Sequence, residues 1–141
     1  NQFNSIKCGS DFVDEENNII KNDTITIDSP QPRSYAYCSD TVYYEKIIDY
    51  VRDVDLLYHE ATFHSNLQKR AKQTYHSTTR DAAKIAKNAS VGKLIIGHFS
   101  SRYKDLNILK EDALKVFENT DLALEGSKWN INKKNKNENN S

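Results

Sequence analysis

The sequence predicts an α/β fold in which short strands alternate with helices. Two apolar runs of strand length, 55–59 and 93–97, flank a segment whose apolar residues recur at helical spacing, and a further helix and strand follow. Continuous apolar runs of this kind are typical of strands that are buried on both faces. We therefore expect an α/β layer that forms roughly half of a sandwich, with the other half absent from this chain.

The beginning of the chain reads as a connector. Residues 1–23 are polar and are broken by Gly9-Ser10 and Asn17-Asn18. One short strand pair is predicted there, with Phe12-Val13 opposite Ile19-Ile20.

Two extended segments are predicted next. Thr24–Asp28 alternates β-branched and polar residues, as a half-buried strand does. Pro30 and Pro32 then predict a turn. Ser34–Thr41 is an extended, largely apolar segment that contains an acidic residue, Asp40, close to its end.

Three helices follow from apolar residues at helical spacing. The first is predicted from Tyr43 to Val54. The second carries an apolar face over 82–89, and Thr78 and Asp81 stand in capping-box positions at its start. The third is predicted over 109–117.

The end of the chain changes character. A last short strand is predicted at Leu122–Glu125, and after Trp129 the composition is reduced almost entirely to Asn, Lys, Glu and Ser. Such a segment cannot bury enough apolar surface to offset its conformational entropy. We divide the chain into a connector (1–23), an α/β part (24–128) and a disordered polar tail (129–141).

Bulk composition limits the classes of partner. Lys and Arg together number 20, as do Asp and Glu, so no global field attracts the chain to nucleic acid or to an anionic membrane. No apolar stretch approaches the roughly 18 residues of a membrane span. Cys8 and Cys38 are far apart in sequence and form no C-x-x-C pair, which favours reduced thiols and a cytoplasmic protein.

The chain is expected to be the C-terminal piece of a longer protein. Its 141 residues suffice for one domain. However, they contain no Met and begin Asn1-Gln-Phe-Asn, which is not an unprocessed translation start.

Polar residues at the ends of three predicted strands suggest a site. Asp40, His59 and His98 would reach one rim of the sheet, where α/β proteins gather reacting groups. Imidazole and carboxylate are ligands of zinc, so the first chemistry to test is metal-assisted hydrolysis. Two plainer interpretations stay open: Asp40 could cap the following helix, and His98 could be bonded to a loop carbonyl.

Two further segments could carry chemistry. His59 and Glu60 are adjacent on a strand, and only one of them should face the reacting centre because neighbouring strand residues point to opposite faces. His76 opens a His-Ser-Thr segment that meets a helix N-terminus, where backbone N–H groups could hold a phosphate while the imidazole transfers a proton. Simple N-capping by Ser77 or Thr78 is the alternative there.

A local basic patch could contact RNA despite the zero net charge. It comprises Lys69, Arg70, Lys72 and Arg80, with Tyr75 between them. Short charge runs are more often only solvated surface, so this interpretation also stays open. His64 has no periodic partner and is expected at the surface.

Taken together, the segments Tyr37–Thr41, His59–Thr62, His76–Thr78 and Gly97–Tyr103 resemble, in order and spacing, the C-terminal half of ribonuclease Z. This family comprises tRNA 3′-processing endonucleases of the metallo-β-lactamase superfamily. The resemblance implies the C-terminal half of an αββα sandwich, with a mixed sheet and flanking helices. It also implies that the opening segment is the end of the family's insertion arm, and that the whole enzyme is a homodimer acting on precursor tRNA.

The resemblance also implies residue roles. Asp40 would bridge two zinc ions and His98 would ligate one of them. His76 would assist catalysis near the scissile phosphate with Arg80 close by, and Glu60 would orient His76. The two zinc ions would activate water and stabilise the attacking and leaving oxygens, leaving a 3′-hydroxyl on the tRNA.

The chain departs from the family pattern in one respect. The family's His-x-His-x-Asp-His motif does not occur in it. Asp40 and His98 alone are too few ligands for two zinc ions, each of which needs about four. The isolated chain is therefore expected to be inactive. The alternatives are another metallo-β-lactamase-type phosphodiesterase and a non-catalytic α/β assembly module.

Overall fold

The structure is a computed structural model that describes residues 2–27 and 32–133. The chain divides into two compact units, Asn1–Pro32 and Arg33–Ser141. Within the described residues, no helix is both long and apolar enough to cross a membrane. Both cysteines are free thiols, with Cys8 exposed and Cys38 half-buried.

The first unit contains two short helices and one hairpin. Helix α1 (Gln2–Lys7) precedes the antiparallel strands β1 (Phe12–Val13) and β2 (Ile19–Ile20), and α2 spans Asn22–Ile25. The predicted strand pair is confirmed, since Phe12 lies opposite Ile20.

The strand predicted at Thr24–Asp28 is wrong, because the chain makes the single helical turn α2 there and continues without a strand partner as far as it is described. The hydroxyl of Thr26 donates to the carbonyl of Asn22 at 2.8 Å and closes the turn. Local bonds of this kind compete with a strand ladder and here override the β-branched composition. Asp28 and the turn predicted at Pro30 lie outside the described residues.

The second unit is built on a four-stranded sheet with the strand order β3-β4-β5-β6. All three neighbouring pairs are parallel, so within the described residues this sheet is parallel and not mixed as expected, although the flanking helices are present. The strands are β3 (Tyr35–Cys38), β4 (Leu56–Glu60), β5 (Lys93–Gly97) and β6 (Thr120–Leu122). The strands predicted around these positions are confirmed, although β6 begins and ends earlier than its apolar pattern suggests.

Helices connect the parallel strands. They are α3 (Ile47–Tyr50), α4 (Gln68–Gln73), which follows a 3₁₀ turn at Ser65–Leu67, α5 (Thr79–Asn88) and α6 (Asn107–Leu114). The second predicted helix is confirmed as α5, including its capping box: the Thr78 side chain accepts from the Asp81 backbone and the Asp81 side chain accepts from the Thr78 backbone. The third is confirmed as α6, with its end at Leu114 rather than Phe117.

The first predicted helix, Tyr43–Val54, is far shorter in the structure. Only α3 is α-helical, because the turns before it close through bonds to the third preceding residue, as from Ile47 N–H to the Tyr44 carbonyl. Asp53 then adopts a left-handed φ of 57°, which no α-helix continues through. Apolar spacing alone therefore overestimates this helix.

The core lies between one face of the sheet and α5 and α6. The fully buried side chains on this side include Leu57, Ile85, Leu94 and Ile96. Each fully buried side chain of this size stabilises the fold by about 1.5–3 kcal/mol. This packing fixes the strands, and therefore the positions of the loops that follow them.

The opposite face of the sheet is aromatic and more exposed. The rings of Tyr37 and Tyr58 stack at 4.6 Å, and the side chains of Tyr35 and Tyr37 are largely exposed. At the end of the chain, Lys93 Nζ lies 5.2 Å from the ring centroid of Trp129. Most of the tail predicted to be disordered, residues 134–141, lies outside the described residues, so that expectation stays a prediction.

Candidate metal and catalytic site

The loops after β3 and β5 turn sharply at two of the predicted ligands. Asp40 has a φ of 49° and His98 a φ of 61°, both in the left-handed region that residues other than glycine seldom adopt. Tyr75, directly before His76, has a φ of 59°. Such conformations cost of order 1–3 kcal/mol each and cluster at functional sites.

These turns bring three side chains together. Asp40, His76 and His98 each offer a ligand atom, and the three atoms lie within 4.8 Å of one another. Asp40 Oδ1 is 3.3 Å from His98 Nε2 and 4.0 Å from His76 Nδ1. Asp40 is therefore not used as a helix cap, and residues 41–44 are not helical.

The donor set of this cluster suits a metal ion. One carboxylate and two imidazoles are ligands that zinc prefers, and all three are at least partly open to solvent. Three donors are one fewer than a single tetrahedral zinc ion needs, and two zinc ions would need several more. The residues present fit part of a metal site.

The expectation that His59 reaches the same rim is wrong. Its side chain is fully buried, on the same side of β4 as Leu57 and the helices, because strand residues alternate in direction. Nδ1 of His59 donates to the Glu60 carbonyl at 2.7 Å. Burial lowers the pKa of His59, so its ring is neutral near pH 7.

Glu60, and not the adjacent His59, has its side chain directed toward the site residues. Its carboxylate is fully buried, and its Oε1 lies 2.9 Å from Nδ1 of His76 and accepts from the Thr41 backbone N–H at 3.0 Å. Its Oε2 accepts from the backbone N–H and the hydroxyl of Thr62, at 3.1 and 2.8 Å. The carboxylate thereby joins three loops at the edge of the sheet.

The partners of Glu60 assign the tautomer of His76. An ionised carboxylate only accepts, so the ring proton of His76 sits on Nδ1 and Nε2 keeps its lone pair. His76 is about one quarter exposed, so this nitrogen can take part in proton transfer. The geometry thus fits the predicted pairing of Glu60 with His76.

The loop that carries His76 is fixed at both ends. The hydroxyl of Ser77 donates to the Thr41 carbonyl at 2.6 Å, and Thr78 caps α5. Ser77 is fully buried. Of the two residues considered for capping, Thr78 therefore caps the helix while Ser77 ties this loop to the one after β3.

Arg80 joins a different cluster. Its Nε donates to Asp112 Oδ1 at 2.9 Å, and Asp112 is almost fully buried on α6. Asp112 also accepts from Thr79 Oγ1 at 2.6 Å and from the Ser65 backbone at 3.2 Å. The role of Arg80 beside the scissile phosphate stays a prediction.

His64 also belongs to this cluster, so its assignment to the open surface needs correction. Its side chain is about one quarter exposed, its Nδ1 accepts from the Asn66 backbone at 3.2 Å, and its Nε2 is 3.7 Å from Asp112. Tyr103 Oη accepts from its backbone N–H at 2.9 Å. The loop conformation, not any sequence period, brings it there.

The predicted basic patch lies on and after α4. Lys69, Arg70, Lys72 and Tyr75 are all exposed, with Tyr75 at 76%. Within the described part of the chain, none of the three cations on α4 takes part in an ion pair of 4.0 Å or less. They remain available to an anionic partner, and RNA contact there stays a prediction.

Sequence reasoning missed two side chains at the site. Thr62 connects Glu60 to His98, since its Oγ1 is 2.9 Å from His98 Nδ1. The guanidinium carbon of Arg102 lies 5.0 Å from the ring centroid of Phe63. The ring centroids of Phe63 and His76 are 6.3 Å apart. Both belong to the quoted motifs, but only the folded loops reveal their contacts.

Comparison with known proteins identifies the relatives of this chain. The Ribonuclease Z of Phocaeicola vulgatus is 48% identical over 130 residues, which are 92% of this chain and 42% of that protein. The Ribonuclease Z of Bacteroides fragilis is 51% identical over 124 residues, or 88% and 41% of the two chains. The chain is homologous to the C-terminal part of ribonuclease Z. The resemblance stated from the motifs is confirmed.

Solved structures agree with this assignment. The metallo-β-lactamase fold protein YhfI from Bacillus subtilis matches with a TM-score of 0.62 and 26% identity, over 67% of this chain and 38% of that one. The short form of human tRNase Z matches with a TM-score of 0.50 and 29% identity, over 67% and 31%. The predicted fold class, part of a metallo-β-lactamase fold, is confirmed.

The similarity to ribonuclease Z has a defined extent. This chain spans about two fifths of the length of the two ribonuclease Z proteins. A scan against models of protein families finds none that matches the chain.

Proposed function

We propose that this chain is the C-terminal part of a zinc-dependent endoribonuclease that removes 3′ trailers from tRNA precursors and leaves a 3′-hydroxyl. The observation that carries the proposal is the cluster of Asp40, His76 and His98, within 4.8 Å of one another beside the buried Glu60. Homology to ribonuclease Z supports the reaction and the substrate.

Asp40 and His98 would hold the metal. Asp40 has two carboxylate oxygens and could bridge two ions, while His98 offers Nε2 to one of them. Bound zinc would supply Lewis acidity toward the phosphate and would acidify the attacking water. The remaining ligands would come from the part of the longer protein that precedes this chain.

His76 would move a proton at the scissile phosphate. Glu60 holds its Nδ1–H, so the free Nε2 is the atom that would exchange a proton with the attacking water or the leaving 3′-oxygen. A positioned acid or base of this kind contributes about 10²–10⁴ in rate. Arg80, held by Asp112, would contact the phosphate backbone beside it.

The basic residues of α4 would add affinity for tRNA. Lys69, Arg70 and Lys72 are exposed cations on one short helix next to the His76 loop. Each phosphate contact that they make would add to the salt dependence of binding. The longer protein would act in the cytoplasm, as a homodimer, and the isolated chain would be inactive for want of ligands.

The test compares the isolated chain with the longer protein that carries it. We expect the longer protein to bind zinc and to release 3′ trailers from precursor tRNA, and the isolated chain to do neither. Asp40→Asn should abolish both zinc retention and cleavage. Asp49→Asn is the matched control, because its side chain is 75% exposed against 70% for Asp40 but forms only a surface pair with Arg52. Equal loss in both variants would contradict the proposal.

A substrate panel separates this activity from that of a general phosphodiesterase. Precursor tRNA should be cleaved with a far higher kcat/KM than a small aryl phosphodiester. Replacing Lys69, Arg70 and Lys72 by Gln should raise the KM for precursor tRNA while leaving the small diester unaffected. Similar kcat/KM values for both substrates would favour the general hydrolase. No turnover of either by the zinc-loaded longer protein would favour an assembly module.

A further inference from the structure

The hydroxyl of Thr62 lies between the buried carboxylate and a predicted metal ligand. Its Oγ1 is 2.8 Å from Glu60 Oε2 and 2.9 Å from His98 Nδ1. Thr62 is 7% exposed, and its carbonyl accepts from the Ser100 backbone at 3.1 Å, which ties its loop to the one that carries His98. The hydroxyl is therefore held in place from both sides.

The direction of these two hydrogen bonds follows from donor and acceptor chemistry. A hydroxyl has one proton, and a carboxylate oxygen can only accept, so the proton of Thr62 goes to Glu60. The oxygen of Thr62 must then accept from His98, whose ring proton sits on Nδ1. If Thr62 instead donated its proton to His98, lone pairs on Thr62 Oγ1 and Glu60 Oε2 would face each other at 2.8 Å.

This direction matters because Asp40 competes for the same ring proton. His98 Nε2 lies 3.3 Å from Asp40 Oδ1, so without a metal the carboxylate favours a proton on Nε2. A proton there would block the nitrogen as a ligand. The bond to Thr62 favours the proton on Nδ1 and leaves the Nε2 lone pair facing the cluster.

We propose that Thr62 is a positioning residue that relays the negative charge of Glu60 to His98 and so fixes the His98 tautomer that can bind metal. Glu60 acts on His76 directly and on His98 through Thr62, so one buried carboxylate leaves both Nε2 atoms free. Outer partners of metal ligands orient the ligand and set its tautomer in this way. The inference rests on the metal role proposed for His98.

The first test reads the His98 tautomer by ¹⁵N NMR of this chain, without metal or RNA, at pH about 9, where a histidine ring is neutral. We expect the Nδ1–H form to predominate in the unmodified chain. Thr62→Val should shift the population toward Nε2–H, because Asp40 is then the remaining partner. Thr62→Ser should restore the original tautomer.

The control is Thr120→Val at the start of β6, which removes a hydroxyl of similar burial that donates to the Phe117 carbonyl. It should leave His98 unchanged. A predominant Nε2–H form in the unmodified chain would overturn the inference without any variant. An unaltered His98 tautomer in folded Thr62→Val would do the same.

The second test measures zinc affinity in the longer protein by competition with a chelator. Thr62→Val should weaken binding about 10–100-fold, as loss of an outer partner does elsewhere, and Thr62→Ser should bind like the unmodified protein. Zinc affinity unchanged in Thr62→Val would contradict the relay. The NMR result does not depend on nuclease activity, so failure of the proposed function and failure of the relay remain distinguishable.

Discussion

Nδ1 of the partly exposed His76 lies 2.9 Å from Oε1 of Glu60, whose side chain has no exposed surface. Burying a carboxylate is costly unless it is well hydrogen-bonded. Glu60 meets that condition with four donors, supplied by Thr41, Thr62 and His76. These hydrogen bonds offset the cost of burying the Glu60 carboxylate, and one of them also holds the His76 ring in position.

Glu60→Gln should therefore destabilise the fold as well as the site. The amide keeps one acceptor oxygen and turns its NH₂ group toward donors, so at least one buried donor loses its partner. We expect a loss of about 1–3 kcal/mol in the free energy of unfolding, measured by urea denaturation. Glu111→Gln, an exposed position on α6, should change it by less than about 0.5 kcal/mol. Equal urea midpoints would contradict this account of Glu60.

Much of the α/β part could be predicted from the sequence because its signals are local. The capping box of Thr78 and Asp81 fixes the start of α5, and the apolar run of β5 is long enough to specify a buried strand. Thr24–Asp28 fails because its β-branched pattern is overridden by threonine hydroxyls that bond the local backbone. A composition of that kind becomes a strand only where a partner strand is available.

The site could be predicted only in part, because side-chain direction depends on where a strand begins. Asp40 and His98 lie at ends that the sequence marks clearly. His59 and Glu60 are adjacent, and only the register of β4 shows that Glu60 faces the site. The attachment of Arg80 to Asp112 joins residues far apart in sequence, and no local pattern encodes it.

Asp112→Asn should be markedly destabilising. Asp112 accepts bonds from Thr79, Ser65 and Arg80 in an almost fully buried position, and an amide can satisfy only part of this set. We expect a loss of about 1.5–3 kcal/mol in unfolding free energy. Asp49→Asn, which breaks an exposed pair, should cost less than about 1 kcal/mol. Similar losses at the two positions would contradict the importance of the buried cluster.

The same variant should alter acid stability. Burial by itself raises the pKa of Asp112, but hydrogen bonds from Thr79 and Ser65 and the charge of His64 outweigh it and lower the pKa. A lowered pKa in the folded state contributes stability above the unfolded value of about 3.9, and that contribution is lost as the pH falls through the folded pKa. As the pH is lowered below about 4, the urea midpoint should therefore fall less steeply for Asp112→Asn than for the unmodified chain.

His59 should make stability fall as the pH drops below about 6.5, the ordinary pKa of a histidine in the unfolded chain. Burial lowers its pKa in the folded state, so over this range the unfolded chain binds more protons and gains free energy relative to the fold. One proton of difference changes the unfolding free energy by up to about 1.36 kcal/mol per pH unit. His59→Gln removes this slope, and comparing the two proteins separates His59 from the other histidines. Identical slopes would show that His59 protonates freely in the fold.

Gly97→Ala and Gly92→Ala should both destabilise the sheet, but for different reasons. A Cβ on Gly97 would lie 2.5 Å from Tyr58 Oη, and that ring is held by its stack on Tyr37. A Cβ on Gly92 would lie 2.6 Å from the backbone oxygen of Asp55, which no side-chain movement relieves. We expect about 1–3 kcal/mol for Gly97→Ala from overpacking, and at least as much for Gly92→Ala.

A double-mutant cycle with Tyr58→Ala distinguishes the two glycines. Removing the ring takes away the atoms that Gly97→Ala would strike, so these two changes should couple by about 1 kcal/mol or more in unfolding free energy. Gly92→Ala should combine additively with Tyr58→Ala, because the backbone of Asp55 remains in place. Additivity at Gly97 would mean that the Tyr58 ring moves aside at little cost. In that case close approach to β5 would not be the reason that glycine stands before His98.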